Sequence, residues 1–243
     1  AQAWVERSKR ALSPSLPHAY PLVVSRAQGV MVEDVDGNRF LDCAAGIAVC
    51  STGHCHPRVT EAIQKQAANL IHICAADHYE PVYIGLAERL AGLAPGTDRK
   101  RVFLGNSGAE AVEAALKLAR YHTQRPQLLA FLGSFHGRTM GAVSLTASKP
   151  IYHRGLGPLV PGISHVPYAY CYRCAFNLTY PECDLACVDY IEDAIFARAV
   201  PPEEVAAIFV EPVQGEGGYI VPPPGWLGKL RALCDRYGIL LVD

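Results

Sequence analysis

The sequence predicts an α/β fold: a mostly parallel β-sheet covered by helices on both faces. Short, unalternating apolar runs at 128–132, 205–210 and 239–242 are separated by stretches whose apolar residues recur at helical spacing, the pattern of strands buried on both sides. Polar or glycine-bearing clusters follow Leu104, Leu132 and Val210, and Asp243 ends the last run. Open parallel sheets collect ligands at that end of their strands. The chain is also large enough for such a core, with 243 residues of which 50% are hydrophobic. A net charge of -1 with no basic stripe argues against nucleic acid or an anionic membrane as the main partner. No apolar run reaches transmembrane length and the first residues lack the core of a signal peptide. Without an export signal, the nine scattered cysteines read as reduced thiols of a cytoplasmic protein.

In chain order, residues 4–12 suit a short helix, and a proline-punctuated segment runs to Pro21. Val30, Val32 and Val35 lead through Asp36-Gly37-Asn38 into Arg39-Phe40-Leu41, a hairpin with a favourable turn. The small residues 44–49 precede Gly53-His54-Cys55-His56-Pro57, and Pro57 fits a first helical position. Val59, Ala62, Ile63 and Leu70 supply that helix with an apolar face. Pro81 opens another, with Tyr83, Leu86, Ala87 and Leu90 on one side. Val102 to Leu104 reads as a buried strand that turns at Gly105-Asn106. Ser107 and Glu110 form a capping box, after which Val112, Ala115, Leu116 and Ala119 face inward and Glu113 pairs with Lys117 across one turn. Such a helix start offers bare amides and a positive dipole end to an anion, although the same pattern suits an ordinary capped helix. Strands at 128–132 and 205–210 follow. A helix between Trp226 and Tyr237, with Leu227, Leu230, Cys234 and Tyr237 inward, stops at Gly238 before the last strand. The sequence lacks an initiator Met and stops inside a strand, so a fragment incomplete at its C-terminus is expected.

Taken in order, GIAV at 46–49, GHCHP at 53–57, NSGAEAVEAALKLAR at 106–120, SFHGRT at 134–139, EPVQGEGG at 211–218 and LLVD at 240–243 resemble the class III aminotransferases. That subgroup of fold-type I pyridoxal-phosphate-dependent transferases includes the ornithine, acetylornithine and 4-aminobutyrate enzymes. The resemblance implies residues 1–52 as part of a smaller domain, and 53–243 as an incomplete large cofactor-binding domain with a Cys-rich insertion near 168–190. It implies pyridoxal 5'-phosphate as cofactor, an amino donor and a 2-oxo acid as substrates, and a homodimer.

Residue by residue, Ser107, Gly108 and Ala109 match the turn that holds the cofactor phosphate. Phe135 looks like the aromatic residue stacked on the pyridine ring, with His136 supporting the ring or its neighbours. Arg138 is similar to the arginine that meets the substrate carboxylate. Glu211 resembles a glutamate supporting the cofactor site, and Glu216 the gate glutamate that pairs with an arginine further along the chain in ω-aminotransferases. Ile47 falls where the family lines the substrate entrance. Asp243 matches the aspartate that keeps the ring nitrogen protonated, so that the ring draws electrons from the substrate Cα. The family's Schiff-base lysine falls beyond Asp243, so no catalytic residue is expected in these 243 residues and the fragment alone is expected to be inactive.

Cys171, Cys174, Cys183 and Cys187 form C-x2-C-x8-C-x3-C. Four thiolates at that spacing suit zinc or an iron–sulfur cluster, but the spacing matches the usual ribbons only loosely, and these thiols are expected to fill the insertion without a metal. The expected function is transamination of an ω-amino acid, 4-aminobutyrate or a relative, to 2-oxoglutarate. The alternatives are a pyridoxal-phosphate-dependent racemase, which begins with the same Cα deprotonation, and a non-catalytic metal-stabilised binding module.

Overall fold

The computed structural model describes residues 1–96 and 98–243. The chain forms two compact units, Ala1–Leu86 and Ala87–Asp243.

The first unit begins with α1 (Gln2–Ala11) and a three-stranded antiparallel sheet of β1 (Val24–Gln28), β2 (Met31–Asp34) and β3 (Arg39–Leu41). The β2–β3 turn is the one the sequence indicated. Asp34 accepts hydrogen bonds from the amides of Asp36 and Asn38 at 2.9 and 2.8 Å, the local bonding that makes Asx residues turn formers. A single turn, α2 (Ala45–Ala48), holds Gly46 and Ile47 at φ 67° and 62°, so this glycine serves a left-handed backbone. α3 (Pro57–Asn69) starts at Pro57 as expected, and α4 (Pro81–Leu93) spans the junction between the units. The compact units divide after Leu86, whereas the 52/53 boundary is the one the family resemblance implies between its small and large domains. The GHCHP turn bonds to the hairpin: His54 and Gly29 exchange backbone hydrogen bonds at 2.8 and 2.9 Å, and His54 Nε2 lies 2.6 Å from Asp42.

The second unit carries a wholly parallel four-stranded sheet in the order β5-β4-β6-β7. Its strands are β4 (Gln127–Phe131), β5 (Ile163–Val166), β6 (Val205–Phe209) and β7 (Leu240–Val242). Two core layers confirm burial on both faces. Leu128, Ala130, Ala207 and Phe209 pack with Leu116 and Ala119 of α5 (Gly108–Thr123) and Leu145 of α6 (Met140–Leu145). Leu129, Phe131 and Ile208 pack on the opposite side with Val188 of α7 (Ala186–Tyr190) and Trp226, Leu230 and Leu233 of α8 (Trp226–Tyr237).

Three expectations change. Residues 102–104 are not a strand: they join no ladder, and Phe103 is 72% exposed. Apolar character alone does not make a strand where no neighbour supplies hydrogen bonds. Glu113 does not pair along its own helix with Lys117. Instead its Oε1 accepts from the amides of Gly141 and Ala142 at 2.8 and 3.3 Å, capping α6 from the adjacent helix. In α8 the buried stripe is Trp226, Leu230, Leu233 and Cys234, with Leu227 37% exposed. The large indole sets the phase by filling the space against Phe131 and Tyr168, at ring distances of 5.3 and 4.7 Å. No helix among the described residues is long and apolar enough to cross a membrane.

Candidate active site

The C-terminal ends of the strands assemble one site in the second unit. α5 leads into β4 through the short connection 124–126, so it runs antiparallel to the sheet and its first turn lies at the strands' carboxyl end. Ser107 fixes that turn by accepting the Glu110 amide at 3.2 Å, while Glu110 Oε2 accepts the Asn106 amide at 2.6 Å. The amides of Gly108 and Ala109 have no acceptor inside the helix, and a side chain at Gly108 would meet nothing within 4 Å. The turn after β4 lies against this helix start. Gly137, at φ +123°, approaches so closely that a Cβ there would come within 2.8 Å of the Ala109 Cβ.

Gly108, Ala109, Phe135, His136, Gly137 and Arg138 together line an open cavity of about 620 Å³. Phe135 is held at both ends of its residue. Its amide donates to Glu211 Oε1 at 2.8 Å, and its ring meets the edge of Tyr152 at 5.2 Å. Glu211 reaches across from the end of β6, and its other oxygen accepts the Gly215 amide at 2.9 Å. The Gln214–Gly218 stretch is therefore anchored: the Gln214 side chain donates to the Leu132 carbonyl at 3.0 Å, and Gln214 and Ile220 exchange backbone bonds.

His136 stands with its Nε2 buried and unpartnered. Burial, with His165 nearby, holds its pKa down at about 4, so the ring is neutral near pH 7. Glu216 is paired at 2.7 Å with Lys149 and accepts from the Tyr152 hydroxyl at 3.0 Å. The Lys149 hydrogen bond keeps the Glu216 carboxyl below its ordinary range, and burial with Glu216 alongside raises the Tyr152 phenol. Asp243 follows Val242, which is in register with Phe209, and so lies at the same end of the sheet, two strands from the Phe135 turn and exposed. Ile47 lies in the first unit, 85% exposed.

Sequence reading missed Lys149 and Tyr152 as partners of Glu216. The expected long-range partner was an arginine, and nothing local in Lys149-Pro150-Ile151-Tyr152 points to a carboxylate more than sixty positions away. The donor set suits a phosphorylated heterocycle: bare amides for the anion, a flat ring braced from behind, and one buried polar nitrogen without a partner.

Known proteins resemble this chain over nearly its whole length. An alanine/serine racemase of Pyrococcus horikoshii is 38% identical over 100% of this chain and 52% of its own length. A 4-aminobutyrate aminotransferase of Escherichia coli is 39% identical over 98% of this chain and 54% of its own. An amine transaminase from an uncultivated Pseudomonas species, solved with pyridoxal phosphate bound, superposes with a TM-score of 0.83 at 33% identity, covering 94% of this chain and 54% of that one. The chain thus spans about half the length of the curated relatives it matches. Since the family model described as aminotransferase class-III matches residues 13–243, the chain belongs to the class-III aminotransferase family.

Proposed function

We propose that the protein carrying this chain is a pyridoxal-phosphate aminotransferase that moves the amino group of an ω-amino acid, 4-aminobutyrate or a close relative, to a 2-oxo acid such as 2-oxoglutarate. The observation that carries this reading is the single cavity shared by the open α5 start, Phe135, His136 and Arg138. Gly108 and Ala109 hold the phosphate through their amides, with Ser107 fixing the turn. Phe135 would support the pyridine ring, and neutral His136 would offer its unpartnered nitrogen to the same group. Glu211 positions Phe135 by holding its amide. Asp243 would hold the ring nitrogen, and Arg138 would take a substrate carboxylate through a charge-assisted pair.

Bound pyridoxal phosphate supplies an electron-accepting ring that makes the substrate Cα proton removable. Glu216 serves as the acidic group at the mouth, where pairing with Lys149 limits its repulsion of a second carboxylate. The family resemblance assigns the amine that carries the cofactor to a lysine outside residues 1–243, and Lys149 and Lys229 are engaged with Glu216 and Asp189. A cytoplasmic homodimer accompanies this reading.

With pyridoxal phosphate present, the full-length protein is expected to form glutamate from 4-aminobutyrate and 2-oxoglutarate. The Pyrococcus relative named as a racemase favours a second reading. Interconversion of alanine or serine enantiomers without any 2-oxo acid, and with no glutamate formed, would establish that alternative in place of transamination.

A further inference from the structure

Outside the candidate active site, the insertion between β5 and β6 brings its four cysteines to one place. Cys171, Cys174, Cys183 and Cys187 all line a single cavity of about 20 Å³. All four are free thiols; Cys171 is exposed and the others are half-buried. Cys183 is a near neighbour of both Cys171 and Cys187. The loop that carries them is clamped to α8, because Lys229 donates to the Asp184 carbonyl at 2.6 Å and to Asp189 at 2.7 Å.

A second observation comes from α8. Trp226 is 1% exposed. Its indole N–H lies beside the Cys187 sulfur, its nearby acceptor, and makes no conventional hydrogen bond. A buried donor is rarely left to a weak acceptor alone, and a neutral thiol is a weak acceptor. A thiolate is a good one, and a thiolate inside protein needs a cation beside it. The cavity has room for one water-sized occupant, which suits a single ion and not a multi-atom iron–sulfur cluster.

We propose that Cys171, Cys174, Cys183 and Cys187 form a tetrathiolate site for one thiophilic divalent cation of the zinc class. Among the described residues no three His, Cys, Asp or Glu side chains already enclose a common point. The four thiols therefore line the cavity without closing on a common point. On binding, each thiol loses one proton to solvent and four metal–sulfur bonds of about 2.3 Å form. The anionic sulfur of Cys187 then accepts the Trp226 N–H, as outer hydrogen bonds do in thiolate sites. The function is structural: the metal would fix an irregular loop against α8, away from the cavity at the α5 start. It stands independently of the proposed transamination.

The test is metal analysis of full-length protein purified without chelator. About one zinc per chain is expected, released on titration with a mercurial. Replacement by Co²⁺ should give thiolate-to-cobalt bands in the near ultraviolet and the intense visible bands of tetrahedral sulfur coordination. Cys183→Ser should lower the metal content at least tenfold, whereas Cys43→Ser, outside the cluster, should leave it unchanged. If Cys183→Ser does not fold, the zinc content and cobalt spectrum of the unaltered protein still decide the matter. The proposal is overturned by absence of metal together with a cobalt spectrum lacking sulfur bands, or by metal that survives Cys183→Ser. Labile sulfide with iron, or a disulfide mapped between any two of these four cysteines, overturns it equally.

Discussion

At the scale of single residues, His136 makes the candidate site sensitive to acid. Its folded-state pKa is about 4, against 6.5 in the unfolded chain, because burial disfavours the charged ring and His165 adds repulsion. A depressed pKa means the unfolded state takes up a proton that the folded state refuses. The associated stability is complete above pH 6.5 and is lost as pH falls toward 4, amounting to roughly 3 kcal/mol. His165, whose pKa is also lowered by burial, acts in the same direction. In cofactor-free protein, urea unfolding from pH 7 to 4 should therefore show a steep acid limb, and His136→Gln should flatten most of it. Parallel limbs for the two proteins would remove His136 from this role. Phosphate-sized anions are expected to bind at the α5 start regardless, since that start depends on Ser107 and the backbone.

At the scale of elements, two contacts join the turn after β4 to α5. Glu113→Ala leaves the Gly141 and Ala142 amides without the carboxylate that caps α6. A cost of about 1–3 kcal/mol is expected in denaturant unfolding, whereas Lys117→Ala should stay within about 0.5 kcal/mol. If the two substitutions cost the same, the cap is not the source. Gly137→Ala places a methyl group within 2.8 Å of the Ala109 Cβ at a φ of +123°, so the turn must withdraw from the helix start. Pyridoxal phosphate affinity, read by fluorescence, should fall by about tenfold or more, matching a strain on the order of 1–3 kcal/mol. These elements also mark where sequence reading works. The Ser107 cap, the Asp36-Gly37-Asn38 turn and the Pro57 start are local chemistry, and each appears where the residues indicated. Glu113 had two credible partners, and its spacing from Lys117 exposed only the one within its own helix. Likewise the apolar residues of α8 fit more than one phase, and only the space beside Phe131 and Tyr168 selects Trp226 for the interior. The helix start, Phe135, His136 and Arg138 share one cavity, as the places of their motifs at strand ends led one to expect, while their roles came from the family resemblance. The Lys149–Glu216–Tyr152 contact was not legible, because it depends on how distant segments pack.

At the scale of the whole chain, the two units differ in what they bury. The second unit holds every buried apolar residue among those described, from Leu116 to Ile239, in two layers around its sheet. In the first unit the one buried residue described is the polar Asp34. α1 and α3 bury nothing, although α3 is amphipathic as the sequence indicated. Its apolar side borders an open groove of about 790 Å³ that includes Val59, Ile63, Leu70 and Ile71, with Ile63 63% and Ile71 87% exposed. The face was legible in the sequence; its covering was not, because periodicity shows that a side wants burial without showing what buries it. Contiguous apolar surface of this kind drives association in water. The 243-residue polypeptide expressed alone should therefore self-associate at micromolar concentration and bind a hydrophobic dye strongly. Ile63→Glu with Ile71→Glu should reduce both, while leaving the unfolding of the second unit within about 0.5 kcal/mol, since neither side chain belongs to its core. A lone polypeptide that stays monomeric with little dye bound would mean that this face needs no cover, and that hydrogen bonds such as those joining Gly29 to His54 are enough to hold the first unit.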